Sequence, residues 1–216
     1  IDNILLGGGI TASNHTFQGA SAQIGWFNAL STSLGIDSGI IMCSGDIYSV
    51  DPVNPGVGVT MPVPAITDPD LLNVANSVPP LLPAPYTNSF SVTSVNDVAV
   101  LEFDFIPSSD SLKFRYVFGS EEYFGFENTT FNDVFGFFLS GPGIAGPYAN
   151  GSINLAIVPN SNPPLPITIS SVCNDPPDIM NPQYFVDNSY INFNTPTDVD
   201  TIASADGFTT VLTARA

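Results

Sequence analysis

Residues 98–118, VAVLEFDFIPSSDSLKFRYVF, decide the fold class. Ala99, Leu101, Phe103 and Phe105 alternate with Val100, Glu102 and Asp104. Successive side chains of a strand point to opposite faces, so this alternation predicts a half-buried β-strand over Val98–Pro107. Pro107-Ser-Ser-Asp110 then reads as a turn. The next run repeats the pattern, with Leu112, Phe114, Tyr116 and Phe118 on one face and Lys113, Arg115 and Val117 on the other.

Working outward, further strands are predicted at Ile4–Leu6, Ser13–Gly19, Gly39–Ser44, Asp133–Ser140, Ser152–Val158, Tyr190–Asn194 and Phe208–Ala214. Twenty prolines and eighteen glycines leave few windows able to hold three helical turns. Ser21–Leu34 is the best candidate for a short helix or turn, and Asp70–Val74 for one further turn. Met61–Phe90 and Pro159–Gln183 read as long Pro-rich loops. The expected fold is all-β, an antiparallel β-sandwich of the jelly-roll kind with little helix, in a single domain over residues 1–216.

Composition narrows the function classes. Only 11% of residues are charged, against roughly 25% in ordinary globular domains. Twenty acidic residues face three basic ones, Lys113, Arg115 and Arg215, for a net charge of -17. Phosphate binding needs clustered Lys and Arg, so nucleic acid is not an expected partner. An anionic membrane surface is disfavoured for the same reason. No run approaches the roughly 18 apolar residues of a membrane span, and no basic-then-apolar leader opens the chain. Cys43 and Cys173 form no CxxC motif and lie far apart. Either a long-range disulfide or two separate buried thiols fits that spacing.

The densest constellation is FRYVFGSEEYFGFENTTFNDVFGFFLSG at 114–141. If the strand at 112–119 pairs antiparallel with that at 133–140, the ends of the intervening loop meet. Glu121 and Glu122 then stand beside Asn132 and Asp133, with no Lys or Arg in the loop. Hard oxygen ligands with spare negative charge are what Ca²⁺ selects, so these four residues are the candidate calcium ligands. The alternative is a solvated loop rim. Glu102 and Asp104 lie about 7 Å apart along one strand face, within the roughly 5–9.5 Å span of glycosidase carboxylates, although any strand with alternating acids scores the same. His15 is a lone histidine in a polar turn, and neither GxSxG nor HExxH occurs. Trp26, Tyr48, Tyr86 and Tyr123 are the aromatics that could face a carbohydrate ligand. Asn14, Asn128 and Asn150 open Asn-x-Ser/Thr triplets, read here as chance.

RYVFGSEEY, FNDVFGFFLSGPGI and GPYANGSINLAIVP, with NILLGGGIT at the start, GIDSGIIMCSGD at 35–46, DPDL at 68–71, AVLEFDFIP at 99–107 and DGFTTVLTA at 206–214, resemble the choice-of-anchor L domain. The likeness is collinear over nearly the whole chain. It implies a bacterial secreted or cell-surface protein of a family in which many members carry C-terminal anchoring or sorting signals. It carries over no catalytic residues. The family pattern continues past DGFTTVLTA with a Tyr/His-rich strand and a last strand, whereas this chain stops at Ala216. Those strands are either removed or donated by a neighbouring molecule. The expected function is therefore a non-enzymatic extracellular adhesion or filament module stabilised by Ca²⁺. Its expected partners are further copies of itself or other surface proteins, by strand donation. A carbohydrate-binding module is the alternative, and a glycoside hydrolase the third reading.

Overall fold

A computed structural model of the chain describes residues 10–50, 66–188 and 205–216. The expected strands at Ile4–Leu6 and Tyr190–Asn194 lie outside the described residues. What is described is all-β in character, built from small antiparallel sheets with one short α-helix. The residues fall into two compact units. One takes in 10–50, 66–67 and 96–113, the other 68–95, 114–188 and 205–216.

In the first unit, β1 (Ile10–Gln18) pairs antiparallel with β4 (Val100–Pro107), and β2 (Ile24–Asn28) with β3 (Ser38–Met42). The alternation expected of β4 is present. Leu101, Phe103 and Phe105 are half-buried, while Glu102 and Asp104 are exposed. The β1–β4 register slips between Ser13 and Thr16. Asn14 absorbs this bulge in a left-handed conformation (φ 52°) and donates from Nδ2 to Asp104 Oδ2 at 2.7 Å. His15 stacks on Phe103 with ring centroids 6.0 Å apart.

Of the short helix or turn expected over Ser21–Leu34, the turn forms at the start of the segment and a strand follows it. A single 3₁₀ turn at Ser21–Gln23 leads straight into β2, where Trp26 faces Ile40 and Ile24 faces Met42 across the ladder. Cross-strand pairing of β-branched and aromatic residues outweighs the helical spacing of Ile24, Phe27 and Leu34. Gln23 secures the turn and has no exposed surface. Its Oε1 accepts from the Ala20 amide at 2.7 Å, and its Nε2 donates to the Ser44 and Asp97 carbonyls, each at 2.9 Å.

The second unit opens with α1 (Pro69–Ser77), longer than the single turn expected. Asp68 caps it, accepting from the Asp70 and Leu71 amides at 2.8 and 2.9 Å, and Pro69 stands where no amide bond is needed. The remaining strands are β5 (Lys113–Tyr116), β6 (Gly119–Ser120), β7 (Phe138–Leu139), β8 (Ile153–Asn154), β9 (Cys173–Asp175), β10 (Asp178–Met180), β11 (Phe185–Asp187), β12 (Gly207–Thr209) and β13 (Leu212–Arg215). β12 lies between β11 and β6, and β13 pairs with β5. β7 pairs with β8, and β9 with β10.

One expectation needs correction here. The strand at 133–140 makes no backbone ladder with 112–119; its rungs run from Val134 to Thr168 and from β7 to β8. The two runs meet instead through side chains, Phe114 against Phe137 and Tyr116 against Phe135, with centroids 4.8 and 5.2 Å apart. That order is still antiparallel. The expected Pro-rich loop 159–183 is pinned into the core over part of its length. Residues 165–173, LPITISSVC, are buried without exception. Leu165, Ile167 and Val172 join Val78, Leu82, Val158 and Leu212 in the core.

Replacing Gln23 with Ala strands two carbonyls and an amide inside the first unit. At about 1–3 kcal/mol per unsatisfied buried group, urea unfolding should show a loss of at least about 2 kcal/mol. Gln18→Ala removes only an exposed 3.4 Å contact to Glu102 and should cost under about 0.5 kcal/mol.

Candidate functional site

The segment 119–133 forms a loop closed at its neck by Ser120. The Ser120 hydroxyl donates to Asp133 Oδ2 at 2.7 Å and accepts the Glu122 amide at 2.9 Å. The expected meeting of the loop ends is thus made by a serine, with β6 held against β12 behind it. Gly207 of β12 allows this approach, because a Cβ there would lie 2.6 Å from the Phe185 ring and 2.8 Å from that of Tyr123.

Glu127 holds the loop from within and has only 4% of its surface exposed. Its two carboxylate oxygens accept from the Phe124 and Gly125 amides, each at 2.8 Å. Those amides belong to residues at φ 65° and 140°, a turn that leaves N–H groups pointing inward. Asn128, also left-handed, donates its amide to Ser170 Oγ at 3.0 Å and its Nδ2 to Asp178 Oδ1 at 2.8 Å. Thr129 Oγ1 donates to the Phe126 carbonyl at 2.6 Å. Sequence reasoning passed over Glu127; the available signal was a carboxylate placed just after a Phe-Gly turn.

The four candidate calcium ligands separate into two kinds. Asn132 is buried and engaged with protein, its Nδ2 donating to Ala75 O at 3.3 Å and its Oδ1 accepting from the Ser170 amide at 3.4 Å. Glu121, Glu122 and Asp133 stay nearer solvent. Asp206, beside β12, joins them electrostatically. Among the described residues no three His, Cys, Asp or Glu side chains are grouped so as to hold a metal ion. Of the four aromatics, Trp26 and Tyr48 are 66% and 78% exposed. Tyr86 is half-buried and donates to the Pro177 carbonyl at 3.1 Å. Tyr123 is 2% exposed, its ring packed on Phe185, and cannot face a ligand as expected. Cys43 Sγ accepts the Gly45 amide at 3.3 Å, and Cys173 is buried. Burial, reinforced by Glu127, pushes the Cys173 thiol up to about 12. Asn14, Asn128 and Asn150 of the Asn-x-Ser/Thr triplets all occupy left-handed turn positions.

The acids of this loop repel one another. Burial first, then the Asp133 and Asp206 charges, raise the Glu122 carboxyl above its ordinary value. Burial also raises Asp133, opposed by the Ser120 hydroxyl, and raises Asp206, with Asp187 adding to it. Protein crowds the Asp133 carboxyl, yet the residue keeps an open surface, so water still screens it. A proton is therefore held more tightly by these groups in the folded than in the unfolded chain. Their contribution to stability is present below the unfolded carboxylate values and is lost as pH rises through the folded ones. Melting temperature should fall between about pH 4 and pH 7, and the fall should be shallower in Glu122→Gln/Asp206→Asn, measured by circular dichroism across that range.

No curated protein and no solved structure matches this chain. No helix among the described residues is long and apolar enough to cross a membrane. The model of the Choice-of-anchor L domain matches residues 1–216. That family consists of bacterial surface-associated proteins. The collinear motifs, the all-β architecture and the full-length match agree, and the chain belongs to the Choice-of-anchor L domain family.

Proposed function

We propose that this chain is a non-enzymatic structural or adhesive module of a bacterial surface protein, working outside the cell. The observation that carries this reading is where the polar side chains of 119–133 spend their hydrogen bonds. Ser120, Glu127 and Asn132 bond to main-chain groups and Asn128 Nδ2 to the Asp178 carboxylate, which makes the loop a scaffold. The hydrolase alternative loses its best pair in the same way. Asp104 accepts from Asn14, and Glu102 lies against Gln18, as cross-strand partners on an exposed sheet face.

Calcium belongs to this reading as the counter-ion for Glu122, Asp133 and Asp206, whose like charges favour protonation of Glu122. The ion would have to draw these carboxylates together, since they are not grouped as a ready-made site. Calcium at about 100 times its Kd adds about 2.7 kcal/mol to the folded state. Melting in CaCl₂ should then exceed melting in EGTA by several degrees, and Glu122→Gln/Asp133→Asn should abolish the difference. Equal melting temperatures in the wild type would remove calcium from the model.

Carbohydrate binding is favoured as a second reading by the exposure of Trp26 and Tyr48. Trp26 is the chain's one tryptophan, so intrinsic fluorescence reports on it alone. Stacking of a sugar on the indole should shift emission to the blue in titrations with neutral oligosaccharides, and Tyr48→Ala should weaken the effect. Emission that stays constant across the panel speaks for the purely structural role.

A further inference from the structure

Three positive charges exist in the whole chain, and strand pairing gathers them. Lys113 and Arg115 lie on the exposed side of β5, while Phe114 and Tyr116 on its other side are half-buried. β5 pairs with β13, whose Leu212 and Ala214 are buried and whose Arg215 is exposed. A protein of net charge -17 therefore carries all its cations on one two-stranded ribbon. Among the described residues no ion pair engages any of the three.

The loop at 119–133 has the complementary character. Its tip shows two phenyl rings to solvent, Phe126 at 43% and Phe131 at 61% exposed. They form an edge-to-face pair with centroids 5.4 Å apart. Glu127, Asn128 and Thr129 fix the backbone beneath them, so little order has to be acquired on docking. Glu122 and Asp133 supply negative charge in the same loop. Aromatic faces beside carboxylates are what a guanidinium engages best, through cation–π and charge-assisted hydrogen bonds together.

We propose that the 119–133 loop of one copy docks on the β5–β13 ribbon of the next. A polyanion could neutralise the ribbon but would leave the phenyl rings in water, whereas a second copy covers both surfaces in one event. The two patches differ, so the contact is head-to-tail and extends into an open chain of subunits unless the rotation closes a ring. This deepens the surface-module reading and rests on it. It does not need calcium, and a monomeric result would leave that reading standing.

Sedimentation velocity over a concentration series tests it. The wild-type chain should grow beyond dimer as concentration rises and should dissociate in high salt. Arg115→Glu/Arg215→Glu and Phe126→Ser/Phe131→Ser should each sediment as monomers, with circular dichroism showing both folded. Mixed in equal amounts, they should give a 1:1 dimer and nothing larger, because one keeps its loop and the other its ribbon. Wild-type protein that stays monomeric, variants that associate like wild type, or a mixture that forms no dimer would each overturn the proposal. So would a wild-type monomer that binds heparin through Arg115 and Arg215, which would assign the ribbon to a polyanion.

Discussion

A buried backbone must find a partner for every amide and carbonyl, and in this protein the demand falls hardest on residues 165–173. The segment is buried throughout, yet before Cys173, which opens β9, its regular pairing is limited to single rungs from Pro166 to Ile157 and from Thr168 to Val134. Unsatisfied, each polar group there would cost about 1–3 kcal/mol. Side chains fill the gap. Ser171 Oγ accepts the Thr168 amide and donates to its carbonyl, Asn181 Nδ2 reaches the Ser171 carbonyl, and Asn132 receives the Ser170 amide. The Asn-, Ser- and Thr-rich composition thus works as an internal substitute for ladders.

The same composition shapes the turns. Asn14, Asn88, Asn128, Asn150, Asn160 and Asn181 all adopt left-handed backbone conformations, which asparagine tolerates better than other side chains of its size. Loops built this way are held at many points and need few ion pairs. That suits a chain with three cations, because its carboxylates are left to water, to one another, or to a partner of opposite sign. Glu127 is the exception that shows the rule. It is buried without a cation because two backbone amides supply the positive end.

Legibility followed the range of the interactions. β4 was readable because a two-residue alternation needs only a sheet with one covered face. The short helix α1 was partly readable, since Asp68 and Pro69 are local signals, though its length depended on burying Val74 and Ala75. Ser21–Leu34 leaves a short helix or a turn open to a sequence reader, and the turn forms, because Trp26 and Ile24 gain more from Ile40 and Met42 across a ladder than from helical neighbours. At the candidate site, the loop is closed by the Ser120 hydroxyl on Asp133 and not by the ladder expected of its flanking strands, and the roles of its residues were not legible. Asn132 turned inward to Ala75 and Ser170, positions distant in sequence, and Tyr123 was taken into the core by Phe185.

The sequence by itself determined the all-β class, the alternation of β4 and β5, the acidic surface and the family, because each is written in short-range pattern or in collinear motifs. Only the tertiary structure decided that 165–173 is core, that Glu127 is a structural carboxylate, and that Arg215 comes to lie on the same ribbon as Lys113 and Arg115. Those outcomes turn on which distant segments share a buried interface or a ladder. No local preference encodes that choice, since the free energy that selects it comes from burial and hydrogen bonds made only once the chain has folded.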